Sequence, residues 1–444
     1  MKTPPLLACT ALLLLQSALF AQDLYWNPQG GSTDWNTTAQ NWSETEVPSA
    51  WQGWPAISGY TGIARFTANG GEVNVGDGLF TGGLAFETPG VALSSAAEST
   101  LTLAGSAPEI EVATGLTATL GANLRLMSQS KTFTKTGAGT LEITYSHGTD
   151  KYLGPVSSTT QGAKITIAEG TLRVTGNGLN NTWVDLSVAS GATLAVNSTL
   201  NVGTLTGSGA VSNSTGTAYT LQIRGLDQSF SGVVSGNLNF SKINSPDTFT
   251  FSGSQSNTYS GNTTVNVGEL ILAKTGGAVA VAGTQIILGA NNNTGLAQLT
   301  LAGEGQIAST VDLSFVEGNR RTARFALEGH SATLGTLILG NLGANGSFTI
   351  DFGMNETAQL LSFAALSTAG TGDLNLLNFG DNDELRFLAD PTAGLGQLFI
   401  NGLDVTAVDR GEYWTVAPIP EPRALLGVGA LLLVLALRNR RLHA

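Results

Sequence analysis

Asn257-Thr258-Tyr259-Ser260-Gly261-Asn262-Thr263-Thr264-Val265-Asn266-Val267-Gly268-Glu269-Leu270-Ile271-Leu272 holds two short alternating runs separated by a glycine. In each run, apolar side chains fall on one face and Thr, Asn or Glu on the other, the period-two pattern of a strand with one buried side. The same pattern recurs at Gly71–Val75, Ser99–Leu103, Gly139–Ile143, Lys164–Ile167, Gly170–Val174, Ala192–Val196 and Gln298–Leu301. Between Asp23 and Pro418 no stretch keeps a 3.6-residue apolar period over three turns. The chain reads as all-β.

Regular short strands with glycine corners suit a sandwich, a barrel or a solenoid. So many runs exceed one sandwich, and no proline-rich linker or charged seam divides them. A right-handed parallel β-helix takes any number of coils, because each is added to the end of the stack. Residues 59–340 are therefore expected to form coils of ~20–25 residues, roughly 11–14 in number, with inward Leu, Ile and Val stacked ~4.8 Å apart. Exposed end coils would template aggregation, so caps are expected at residues 22–58 and 341–417. Trp26, Trp35, Trp42, Trp51 and Trp54 fill the first of these. Large aromatics close a core end, although their faces also suit stacking on sugar rings. The second holds the Phe-rich runs Leu374–Phe379, Glu384–Leu388, Gln397–Ile400 and Tyr413–Val416.

The opening stretch shares a skeleton with Lys135–Ile143, Tyr152-Leu153-Gly154 and Glu169–Val174: Tyr-x-Gly, a Thr/Val strand, then Gly-x-Leu-x-apolar. This skeleton resembles the autotransporter-associated β-strand repeat, whose family fold is a parallel β-helix in passenger domains of secreted and surface proteins. The Asn257–Leu272 copy matches cleanly, whereas the other carries an insertion and departs at Gly162-Ala163-Lys164.

Both ends carry export features. Lys2 precedes an apolar stretch from Leu6 to Leu15, and Ala21 closes the small-residue region, the layout of a signal peptide over residues 1–21 cut by signal peptidase after Ala21. Cys9 lies inside the apolar run and reads as incidental. Residues 418–444 hold Pro420-Glu421-Pro422, an uncharged run from Ala424 to Leu437, then Arg438, Arg440 and Arg441. As a helix the run spans roughly 21 Å, short of the ~30 Å hydrocarbon core, and the arginines would flank it on the cytoplasmic side. The arrangement resembles the PEP-CTERM sorting signal. The resemblance implies a Gram-negative host, an exosortase-type membrane protease acting at the Pro-Glu-Pro, and a role beside exopolysaccharide at the cell surface or in the extracellular matrix. An uncleaved, membrane-anchored surface protein is the alternative.

Charged residues make up 12% of the chain, against about 25% in ordinary soluble domains. The 20 basic residues fall to 15 once Lys2, Arg423, Arg438, Arg440 and Arg441 are set aside, and the 32 acidic residues then leave −17. Such a chain is expected to bind no nucleic acid. With Cys9 the only cysteine, disulfides and thiolate metal sites are excluded from the processed chain.

A solenoid enzyme acting on carbohydrate would need converging carboxylates with a nearby cation. Glu142 and Glu169 read instead as solvated strand residues, and Arg320, Arg321 and Arg324 as a loop or solvated face. His147 and His330 sit in no motif, and His443 lies past the sorting motif. Asp381-Asn382-Asp383-Glu384 has the oxygen content of a calcium loop but not its full ligand spacing, and equally makes a turn. Asn291-Asn292-Asn293 reads as a turn or ladder. No cofactor is expected, and a structural or adhesive protein is the reading. A carbohydrate-active β-helix lyase or hydrolase is the alternative: converging acids with a neighbouring Arg or Lys would favour it, a ladder of Thr, Ser and Asn would not.

Overall fold

A computed structural model describes residues 22–419, apart from 30, 98, 122, 129–131, 145–163, 177–183, 244, 290–294, 317–321, 342–346, 355–356 and 369. The signal peptide with Ala21, the sorting tail with Pro420, Glu421, Pro422, Arg438, Arg440 and Arg441, and Arg320, Arg321, His147 and Asn291–Asn293 lie outside the described residues. Contacts divide the chain into two compact units, Met1–Thr263 with Ala273–Gly283, and Thr264–Leu272 with Thr284–Ala444. Each is a parallel β-solenoid.

In the first unit every coil supplies one strand to each of two long parallel ladders. One ladder carries Ile63–Phe66, Gly83–Phe86, Glu109–Val112, Thr132–Thr136, Lys164–Ile167, Asp185–Val188 and Thr204–Gly207 in sequence order. The other is a ten-stranded sheet running from Asp34–Trp35 to Thr258–Tyr259. Further short strands close the coils at Leu79–Thr81, Ser99–Leu103 and Leu124–Ser128, and later at Leu200–Val202, Tyr219–Ile223 and Leu238–Lys242. Parallel pairing without shear sets like positions side by side. The inward column Ala118, Leu141, Leu172, Leu194, Val211, Val234 runs in register through six coils. All of these side chains are buried. Coil length tracks the turns rather than the strands, from 17 residues between Thr193 and Ala210 to 32 between Thr132 and Lys164.

The turns are stitched by side chains that extend the ladder where the backbone leaves it. Asp77 Oδ1 accepts from the Thr100 amide at 2.8 Å, Asp227 Oδ1 from Thr248 at 2.8 Å, and Asn239 Oδ1 from Asn262 at 2.8 Å. Asn257, fully buried, takes the Val234 amide at 3.0 Å and donates to the Ala280 carbonyl at 2.8 Å, so one side chain ties coils on both sides of it. Asn and Asp at the corners thus take main-chain amides where the ladder leaves off, nearer the surface at Thr100 and Thr248 and buried at Val234. In the Tyr-x-Gly signature, the hydroxyl of buried Tyr259 lies 2.5 Å from Thr263 Oγ1. A Cβ at Gly261 would come within 2.4 Å of the Leu238 carbonyl oxygen, so glycine is required there by close approach.

Before the first full coil, Trp26, Trp35, Trp42 and Trp54 pack with Tyr60 and Phe66, and all six are buried. Their rings meet edge to face, Trp42 and Trp54 at 4.5 Å and Trp35 and Trp54 at 4.9 Å between centroids. Trp54 Nε1 donates to the Phe80 carbonyl at 2.8 Å, pinning the cluster to the coil behind it. Strand Trp42–Ser43 lies antiparallel to Leu24–Trp26. Trp51 alone of the five early tryptophans keeps an exposed face, so the buried rings offer no platform for a sugar.

The second unit repeats the plan with Gly268–Leu272, Leu296–Leu301, Thr322–Ala326, Ser347–Asp351, Leu374–Leu377 and Leu398–Ile400 on one ladder. Gln285–Leu288, Asp312–Phe315, Ala332–Leu339, Leu360–Ser367 and Glu384–Phe387 form the other. Parallel coils thus continue past residue 340 to Ile400, because the Phe-rich runs occupy the same inward columns as the aliphatic ones before them; Phe363 stacks on Phe387 at 5.7 Å. The architecture changes at Asn401-Gly402. Both residues have positive φ, 50° and 79°, and make a two-residue hairpin from Leu398–Ile400 into Leu403–Asp409. Trp414–Pro418 then pairs antiparallel with Leu403–Asp409 and with Glu384–Phe387. Antiparallel strands therefore occupy both the start of the first unit and the end of the second, where a bare parallel edge would recruit other chains.

The inward and outward faces should differ sharply in mutational cost. Leu172→Ala is expected to lower stability by about 3 kcal/mol and Thr171→Ala by about 0.5 kcal/mol or less, read from urea midpoints at an unchanged slope. Equal effects would contradict the assignment of faces.

Candidate functional site

The outward positions of the first unit form registered columns of small polar side chains. Thr134, Thr166, Ser187 and Thr206 lie side by side on one ladder. On the second, Thr117, Thr140, Thr171 and Thr193 do the same. Adjacent hydroxyls sit one inter-strand spacing apart, ~4.8 Å. Beside the second column run Thr119, Glu142, Arg173, Ala195, Ser212, Ser235 and Thr258. Here Glu142 Oε2 meets Arg173 Nη1 at 3.4 Å, a cross-coil pair on the surface.

Of the acidic and basic groups singled out from sequence, Arg324, His330, Asp383 and Glu384 are also engaged locally. Arg324 Nη2 bonds to Asp351 Oδ2 at 2.5 Å, and the nearly buried Asp351 also accepts from the Gly353 amide and Asn378 Nδ2, each at 2.8 Å. Arg324 is therefore part of a turn brace rather than a basic patch. Asp383 accepts from the Gln359 amide at 3.0 Å and the Gly380 amide at 2.8 Å, and Glu384 pairs with Arg386 at 2.5 Å. This segment is a corner in which Asp383 joins the coil of Gln359. His330 Nδ1 lies 3.5 Å from Glu304 Oε1. Among the described residues no group of three His, Cys, Asp or Glu side chains is placed to hold a metal ion. Among them, too, no helix is long and apolar enough to cross a membrane.

Three lysines of the first unit depart from the pattern. Lys135 stands in an inward column, with Ile110 on one side and Ile167, Val188 and Gly207 in sequence on the other. It is fully buried, and its ammonium donates to the carbonyls of Thr136, Gly137 and Glu169 at 2.8, 2.7 and 3.2 Å. Buried Lys242 donates to the Ser245 carbonyl at 2.9 Å, and buried Lys274 to those of Gly232 and Ser252 at 3.1 and 3.0 Å. Each ammonium gathers turn carbonyls, and Lys135 and Lys274 thereby join successive coils. Burial pulls all three pKa values down to about 8; Glu169 and Glu111 offset this partly at Lys135, and Asp247 and Asp227 at Lys242. The alternation Thr132-Phe133-Thr134-Lys135-Thr136 puts Lys135 on the same face as Phe133, a signal available in the sequence.

The chain is 30% identical over 191 residues to "Adhesin BmaC autotransporter" of Brucella suis biovar 1 (strain 1330), a match that takes in 41% of this chain. The chain spans about 5% of that protein's length. No protein-family model matches the chain, and no solved structure does.

Between the lysines' folded value of about 8 and their ordinary 10.5, the unfolded chain holds protons that the folded chain has released, so stability rises with pH through that window. Tyr60 acts oppositely: burial, with Asp23 and Glu44 nearby, pushes its phenol from 10.0 to about 12, so stability falls above pH 10. Denaturant titrations across this range should give a maximum near pH 10, and Lys135→Met should flatten the rise. A fall beginning at pH 8 would contradict the burial of the lysines.

Proposed function

We propose that this chain is an exported, non-enzymatic β-solenoid protein of the cell surface or extracellular matrix, with a structural or adhesive role. The observation that carries the reading is the set of registered outward columns of Thr and Ser, with the neighbouring carboxylates tied into cross-coil pairs and turn braces. A face of that kind offers many weak, equivalent hydrogen-bonding positions rather than one reacting centre. The similarity to an autotransporter adhesin over part of the chain supports the same reading. So does the high negative charge, which keeps an exported chain with no cysteine beyond Cys9 soluble without disulfides.

In this reading signal peptidase removes residues 1–21 after Ala21, and Arg438, Arg440 and Arg441 hold the tail at the membrane. An exosortase-type protease then acts at Pro420-Glu421-Pro422, and the released chain takes its place beside exopolysaccharide.

Three measurements in the native host test this. Antibody should label intact cells. Deleting the chain should lower attachment of those cells to a surface several-fold. Mass spectrometry of the surface fraction should find no peptide spanning Pro422 to Leu437. Labelling only after lysis would overturn the surface reading, unchanged attachment the adhesive role, and a recovered spanning peptide the processing step.

A further inference from the structure

We propose that the second unit carries a binding site for a single neutral sugar ring, in a cleft of about 260 Å³ where three successive coils meet. The proposal deepens the adhesive reading and rests on it for the ligand's setting. Its floor is apolar: Leu301 ends one strand, Ile307 follows the next turn, and Leu360 opens a strand two coils on. Its wall is polar, made by Glu304, Ser331 and Thr333.

The wall is fixed in place. Both oxygens of the Glu304 carboxylate accept from the Ser331 amide, at 3.0 and 3.2 Å, and His330 Nδ1 stands 3.5 Å from the same group. Ser331 Oγ accepts from the Leu360 amide at 3.0 Å, which leaves the hydroxyl proton to be donated elsewhere. Thr333 is exposed and adds a second hydroxyl. A rigid acceptor, two hydroxyls and an aliphatic floor match a ring whose edge carries hydroxyls and whose face carries C–H groups. The volume falls below the ~300–1,000 Å³ of drug-sized pockets and suits one ring. Charge selects within that class. Among the described residues the only ionised side chain lining the cleft is the Glu304 carboxylate, so a uronic acid would meet repulsion.

The test uses the full processed chain, titrated calorimetrically with glucose, galactose and mannose, and with glucuronic acid as the charged control. At least one neutral hexose should bind with a Kd of order 1 mM. Glu304→Gln, which keeps one carbonyl oxygen for the Ser331 amide, should weaken it about tenfold. Ser309→Trp, at the exposed rim, should block it with the thermal midpoint unchanged. Failure of all three neutral sugars at tens of mM would overturn the proposal. So would undiminished binding by Ser309→Trp, or a preference for glucuronic acid. The titration reports on the cleft alone, whereas attachment of cells lacking the chain reports on the adhesive reading, so either can fail without the other.

Discussion

Everything in this molecule follows from parallel main-chain pairing in strict register, coil upon coil. A single coil buries almost nothing by itself; its inward side chains are covered only because the coils before and after present the same positions ~4.8 Å away. That is why Leu172 is sealed by Leu141 and Leu194, and why a chain with 12% charged residues and no cysteine beyond Cys9 can hold together. The same constraint dictates the corners. Where the backbone turns out of the ladder its amides need new partners, and Asp77, Asp227, Asn239 and Asn257 supply them from the adjoining coil.

Register also has costs. Any side chain placed inward must fit its column, and Lys135 fits only by extending its ammonium to three turn carbonyls. A slip of two residues would keep Lys135 inward but move its ammonium off those carbonyls, so the buried charge penalises that register. The ends pose the opposite problem, with a column that has no next member. In the first unit an aromatic cluster and a short antiparallel strand occupy that position, and in the second an Asn-Gly hairpin and the strand Trp414–Pro418.

Much of this was legible in the sequence, because a strand with one buried face writes its period directly into the residues. Glu72–Val75, Ser99–Leu103, Lys164–Ile167, Thr193–Asn197 and Gly268–Leu272 all lie where alternation and glycine corners put them. The extent of the parallel stack was not. Phe348, Phe363 and Phe387 look like a different module from the Leu and Val runs, yet they fill equivalent columns, and only hydrogen bonding reveals it. The true change of architecture was written at Asn401-Gly402, a two-residue hairpin signal. The cleft was beyond reach, since Leu301, Glu304, Ser331 and Leu360 converge only through pairing of separate coils.

The most direct test is distance against coil number. Spin labels at Thr117 paired in turn with Thr140, Thr171, Thr193, Ala210 and Val233 sample one outward column of the first unit. Pulsed electron resonance should show separations that climb evenly, by ~4.8 Å for each added coil. Separations that scatter, or that level off as coils are added, would contradict a registered parallel stack.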